Sequence, residues 1–168
     1  MHEVIQKVQS KLVVLKHQFS IPPIIIGGLA MEYYGIRKSG EDIDLVINDD
    51  DYQNIAQLYP EKRKDIYGDF GVVLETFEIW RSIALLDYGF FNKDAIDYDD
   101  IKMVSIDRLL FSRVSAMEVQ KYYDDLMLIK EYFYKKYRNQ AFLQEAESHI
   151  QSYEKNGGII WKGIYSDN

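Results

Sequence analysis

The chain has 168 residues, 47% of them hydrophobic and 28% charged, and 20 Lys and Arg against 27 Asp and Glu leave a formal charge of −7. That length suits one globular unit with a substantial core, and a content of only three prolines argues against long disordered linkers. The lack of cysteine excludes disulfides, thiolate zinc sites and thiol nucleophiles, so a metal must bind through oxygen or histidine, and the acid surplus disfavours broad nonspecific binding to nucleic acid.

No run approaches the roughly 18 apolar residues of a membrane span, and the first residues form no signal-peptide core, so a cytoplasmic protein without membrane association is expected. From Glu3 to Phe19, Val4, Ile5, Val8, Leu12, Leu15 and Phe19 recur at helical spacing, which predicts a packing helix stopped by Ile21-Pro22-Pro23. Ile24 to Ile26 reads as a short buried strand ending at Gly27-Gly28, and Leu29 to Tyr34 as a short helix closed by Gly35. Residues 36–41 have loop chemistry. Asp42 to Ile47 alternates and then turns continuously apolar, as a central strand does, and Asn48 or Asp49 is placed to cap a helix running to about Leu58. The runs Gly71 to Trp80 and Ile83 to Phe91 are rich in β-formers and predict two neighbouring strands. Helical periodicity returns near Ile106, from Lys121 to Tyr137 and from Gln140 to Tyr153, while the tail 157–168 has no assignable role. The expected fold is α/β (α+β): a mixed sheet flanked by helices over residues 1–104, with a helical layer over 105–168 packed on it as one unit.

On a strand, alternate side chains share a face, so Asp42 and Asp44 project together while Ile43 faces the core. Two carboxylates this close repel unless a proton or a divalent cation intervenes, and Mg²⁺ favours one or two carboxylates plus phosphate oxygens. The alternative, a polar strand end that merely solvates two acids, stays open at this point. Gly27-Gly28 permits a tight turn and close approach of a ligand to the backbone, with a helix start aimed at any bound anion. It lacks the GK[ST] ending of a P-loop and is too short for a dinucleotide fingerprint, and by itself a tight turn is the simpler reading.

The order of these parts carries more weight than any one of them. The stretch IIIGGLAMEYYGIRKSGEDIDLVI, residues 24–47, resembles the first motif of the DNA polymerase beta nucleotidyltransferase superfamily, and more narrowly its small prokaryotic members with GG-x-A followed by a basic residue and DID. The resemblance implies that Gly27 and Gly28, with Arg37, Lys38 and Ser39 of the following loop, hold a nucleoside triphosphate. It also implies that Asp42 and Asp44 bind two Mg²⁺ or Mn²⁺ ions, and that a third carboxylate on a nearby strand completes the site. Many relatives have Thr or Ser two residues before the first Asp, where this chain has Gly40, with Ser39 one place earlier. For the third acid, Glu75, Glu78 and Asp87 are available, and Glu78, between Phe77 and Ile79, is the choice. A solvent-facing glutamate on an edge strand is the competing reading.

Residues 104–130 are similar to a helical segment of abortive-infection type, toxin-antitoxin related nucleotidyltransferase-like proteins that ends in a K-D-x-x-D-L-like element. Lys121, Asp125 and Leu126 match it, with Tyr122 standing where relatives often have Asp. Lys121 would then reach a phosphate oxygen, although an ion pair with Asp125 four residues on accounts for the spacing equally well. Arg113 is a similar case. The aromatic cluster from Tyr122 to Tyr137 falls at helical spacing and reads as packing rather than base stacking, and Asp49-Asp50-Asp51 reads as a helix start favoured by the dipole. The three histidines, His2, His17 and His149, have no metal-ligand spacing. The expected activity is transfer of a nucleoside monophosphate from an NTP to an acceptor hydroxyl on tRNA, protein or a small molecule, with release of pyrophosphate. Two alternatives are a degenerate nucleotide- or partner-binding protein of a toxin-antitoxin type system and an aminoglycoside-type antibiotic nucleotidyltransferase.

Overall fold

The computed structural model describes residues 2–15 and 17–137, together with positions 144, 148, 151, 152 and 155. The helix expected over 140–153 falls largely outside the described residues, and the 157–168 tail wholly so. The chain divides into two compact units, residues 1–129 and 130–168. In the described part of the second unit, Phe133 and Tyr137, four residues apart, stack with ring centroids 5.9 Å apart, and the adjacent Tyr132 meets Phe133 edge-on.

The first unit is a mixed α/β structure. Helix α1 (Glu3–Leu15) buries Val4, Ile5 and Val8, but Val13 and Val14 are 79% and 62% exposed. The helix therefore ends before Phe19, earlier than its periodicity suggested, because its last turn has nothing to bury. Beyond it, Ser20 donates its backbone N–H to both carboxylate oxygens of Asp51, each at 3.0 Å, and its hydroxyl to Oδ2. Strand β1 (Ile24–Ile25) and helix α2 (Gly27–Tyr33) follow, with Gly35 at φ +69 turning the chain out of the helix as expected. Strand β2 (Ile43–Val46) leads into α3 (Asp49–Leu58), whose first turn is capped by the Asn48 side chain accepting from the Asp51 N–H at 2.8 Å. Asp51 is thus more than a dipole partner: it is buried and ties the segment after α1 to the start of α3.

The two long strands expected between 71 and 91 are instead a series of tight turns. Strand β3 (Arg63–Ile66) pairs with β4 (Asp69–Leu74) through a Tyr67-Gly68 loop, and β4 turns at Glu75-Thr76 into β5 (Phe77–Trp80). Then β6 (Ser82–Ile83) and β7 (Leu86–Asp87) form a separate small hairpin, and the remainder of the expected strand is a helix, α4 (Tyr88–Asn92), capped by Asp87. Strands β8 (Ile96–Tyr98) and β9 (Ile101–Met103) precede α5 (Ile106–Val114) and α6 (Gln120–Tyr137). The main sheet has seven strands in the order β3-β4-β5-β2-β1-β9-β8. Strands β2 and β5 are parallel, as are β1 and β9, and the other neighbours are antiparallel. Its centre is the driest part of the unit, where Ile24, Ile25, Ile43, Leu45 and Ile79 have no exposed surface. Among the described residues no helix is long and apolar enough to cross a membrane.

Candidate active site

Alternation along the two central parallel strands builds the acidic part of the site. Ile43 and Leu45 on β2, and Phe77 and Ile79 on β5, turn into the core, so Asp44 and Glu78 are left on the other face. The register places Asp44 directly beside Glu78. Asp42, immediately before β2 and exposed, lines the same cavity as both of them. Glu75 is exposed at the turn between β4 and β5 with φ 54, and the Asp87 carboxylate accepts the Phe90 N–H at 2.9 Å as a helix cap. Neither lines the cavity, so of the three acids only Glu78 joins the aspartates.

Gly27 and Gly28 line this cavity too, but they differ in what they do. Gly27 has φ +65, and a Cβ there would lie 2.0 Å from Oδ2 of Asp44 and 2.9 Å from its Cβ. The glycine therefore makes room for the acid. A Cβ on Gly28 would stand in ordinary contact with Arg37 Nη1 and Ser39 Cβ at 3.7 Å and Gly40 N at 3.8 Å, so that position tolerates a side chain. Helix α2 has seven residues and no side-chain cap at its N-terminus, so space rather than a helix dipole is what the double glycine supplies.

The cavity also gathers the cations Arg37, Arg113 and Lys121 among further acids, Glu118, Asp124 and Asp125. Asp125 on α6 is buried and accepts from Arg37 through Nε at 2.6 Å and Nη2 at 3.0 Å, and from Nε of Arg113 on α5 at 3.0 Å. One carboxylate thus fixes two guanidiniums, both lining the cavity, and leaves the group with a net positive charge. The Arg113 guanidinium also lies 4.8 Å from the centre of the Tyr122 ring. Lys121 lines the cavity and makes no ion pair among the described residues, because the Asp125 that its spacing suggested as partner is taken by the arginines. Lys38 and Ser39 lie elsewhere: both donate to Glu32, at 2.9 and 2.6 Å, and neither lines the cavity. The Lys38 and Ser39 hydrogen bonds hold the Glu32 carboxyl down at about 2.

Burial, reinforced by the neighbouring Glu78, pushes the Asp44 carboxyl above its usual range, while the charges of Arg113 and Lys121 oppose the rise. Glu78 accepts from Lys64 on β3 at 2.7 Å through Oε1. Lys64, Gly71 and Trp80 lie side by side across three strands, and the bare Gly71 makes room for the Trp80 ring, 2.5 Å from where a Cβ would stand. The Lys64 ammonium passes 5.5 Å from the Trp80 ring centre. Lys64 and Asp69 were not singled out from the sequence, and Asp125 was noted only as a motif match and a partner for Lys121, since their actual partners lie on other elements. The Arg113 pairing carried one local sign, a basic residue in the last turn of a helix.

The cavity measures about 1120 Å³. Its donor set of Asp42, Asp44 and Glu78 is all oxygen, the chemistry that suits Mg²⁺ or Mn²⁺. Among the described residues, however, no three His, Asp or Glu side chains are already gathered as a metal cluster. No family model, curated protein or solved structure matches this chain.

Proposed function

We propose that the chain is a nucleotidyltransferase that moves a nucleoside monophosphate from an NTP to an acceptor hydroxyl. The observation that carries the reading is the side-by-side placement of Asp44 and Glu78, with Asp42, in one cavity with Arg37, Arg113 and Lys121. Acids and cations gathered in one cavity suit a metal-bound polyphosphate. The donor set fits Mg²⁺: the Gly27 space brings the Asp44 carboxylate into the cavity, and its repulsion with Glu78 is the kind a divalent cation offsets. When bound, Mg²⁺ neutralises carboxylate and phosphate charge and polarises the phosphoryl group. Arg113 and Lys121 hold the β- and γ-phosphates, with Gly28 in the lining beside them. The acceptor oxygen forms a bond to the α-phosphorus, and the bond from that phosphorus to the bridging oxygen breaks. Pyrophosphate leaves, and the acceptor proton passes through Glu78 to water. These groups act by position and charge, as phosphoryl-type chemistry requires.

A binding protein without turnover is the second reading, and the Lys64–Glu78 contact is what favours it, since it engages the third acid. The test is incubation with each α-labelled NTP and Mg²⁺ or Mn²⁺ alongside tRNA, total protein and aminoglycoside acceptors. Label fixed on one acceptor supports the enzyme. Metal-dependent NTP binding without any labelled product supports the second reading, and no binding contradicts both.

A further inference from the structure

The cavity does not end at Glu78. On the β4 side it continues to a lip made of two hairpin tips, Tyr67-Gly68 between β3 and β4 and Ala84-Leu85 between β6 and β7. Two-residue loops with both central residues at positive φ are formed most easily by Asn-Gly or Gly-Gly. Here Tyr67 is at φ 49, Ala84 at 51 and Leu85 at 61, three side chains in a conformation that L-residues other than Asn and Asp avoid. Tyr67 is fully exposed and Leu85 is 72% exposed, so neither side chain is there to fill the core. The sequence thus accepts both strain and apolar exposure at the same spot.

The tips are also clamped together. Asp69 accepts the Ser82 hydroxyl at 2.7 Å, the Ala84 N–H at 2.6 Å and the Leu85 N–H at 2.9 Å, and a Cβ on Gly68 would lie 3.2 Å from Leu85 Cδ2. Strain held in place by a saturated carboxylate beside a candidate reacting centre is a sign of pre-organisation.

Resting on the nucleotidyltransferase reading, we infer that this lip is the acceptor subsite and that it takes a hydroxyl carried on a planar aromatic ring, uncharged or anionic. Three observations select that class. The cavity, at about 1120 Å³, exceeds the usual range for one drug-sized ligand, roughly 300–1,000 Å³, so it has room for a nucleotide and a second molecule. The lip lies beyond Glu78 on the β4 side, whereas the double glycine lies beyond Asp44 on the β1 side, so a nucleotide on the glycines leaves the lip to the attacking partner. At the lip the acids are Asp69 and Glu78, both engaged, and the charge beside them is Lys64, a poor setting for a polycation such as an aminoglycoside. The ring packs against Tyr67 and Leu85, and its hydroxyl reaches the Lys64–Glu78 pair.

The test uses N-acetyl-L-tyrosinamide as probe, with N-acetyl-L-serinamide and kanamycin as controls, on the full chain and on the double variant Tyr67→Asn, Leu85→Gly. Both substitutions place residues that accept positive φ, so the variant folds and its Tm is equal or higher. Expected are binding of the tyrosine probe by the wild type, no comparable binding of either control, and at least about tenfold weaker probe binding by the variant. Mg–ATP affinity, measured in parallel, stays within about twofold. Equal probe binding by the variant, or wild-type preference for kanamycin or the serine probe, overturns the inference. Equal loss of Mg–ATP and probe also overturns it, since the lip would then hold the nucleobase. If Mg–ATP does not bind the wild type while the probe results stand, the aromatic site survives and the nucleotidyltransferase reading falls.

Discussion

Gly27 and Asp44 fit together with no space to spare: a Cβ on the glycine would fall 2.0 Å from Asp44 Oδ2 and 2.9 Å from Asp44 Cβ. The second distance matters more, because the Cβ is fixed to the β2 backbone and cannot swing away. Gly27→Ala therefore forces both a left-handed alanine and a displaced strand, at a cost of about 2–4 kcal/mol. Gly28→Ala meets nothing closer than 3.7 Å and places a better helix former in α2, so its Tm is unchanged or raised. Thermal unfolding of the two variants checks the contrast. Calorimetry should then find Mg–ATP binding weakened in Gly28→Ala if phosphates lie against that backbone.

Asp44 costs the fold something at neutral pH. Its carboxyl is pushed above the ordinary value of 3.8 by burial and then by Glu78, so the folded state holds its proton more tightly than the unfolded chain. The penalty is present once the folded carboxyl ionises and vanishes below 3.8, where both states are protonated. Asp44→Asn is thus expected to stabilise at pH 7 by about 1 kcal/mol, with the gain fading as the pH falls through the carboxylate range. Urea melts at pH 7 and pH 3 test the sign. A destabilised Asp44→Asn at pH 7 would mean that Arg113 and Lys121 outweigh burial.

Asp125 holds Arg37 and Arg113, and its removal leaves two guanidiniums facing each other with no counter-charge. Arg113 is 5% exposed, so Asp125→Ala should lose about 3–5 kcal/mol. Asp125→Ala combined with Arg113→Met removes the buried charge along with its partner and should recover a large part of that loss. Both Tm and binding of inorganic tripolyphosphate are informative: the double variant regains Tm without regaining affinity for the anion. Recovery of both would show that Arg113 has no part in anion binding.

The continuous stretch from Ile24 to Ile47 was legible because its signals are local: an apolar run, two glycines, a closing Gly35 and an alternating acid pair all report on the backbone that carries them. Alternation set Glu78 against Glu75, while its preference over Asp87 came from its place between Phe77 and Ile79 and from the family resemblance. What escaped depends on partners distant in sequence. Strand β3 is an edge strand with an exposed face and shows no apolar alternation. The turns Glu75-Thr76 and Ala84-Leu85 lack the Asn, Asp and Gly that mark such reversals, so two runs of β-formers looked continuous where the chain reverses. Lys121 and Asp125 have the spacing of an ion pair, but the pairing went to Arg37, 88 residues away in sequence, and Arg113. Lys38 and Ser39 sit in the basic loop the resemblance pointed to, yet Glu32, six and seven residues back, holds both outside the cavity.

The nucleotidyltransferase reading is tested most directly by following two labels on one NTP. With Mg²⁺ and an acceptor, the wild-type chain should fix the α-phosphate label on the acceptor in acid-stable form while the γ label appears in pyrophosphate. Glu78→Gln, nearly isosteric, should keep Mg–NTP affinity and lose several powers of ten in turnover, since Glu78 acts as the acceptor attacks. Appearance of the γ label on the acceptor, or full turnover by both Asp44→Asn and Glu78→Gln, would contradict the account.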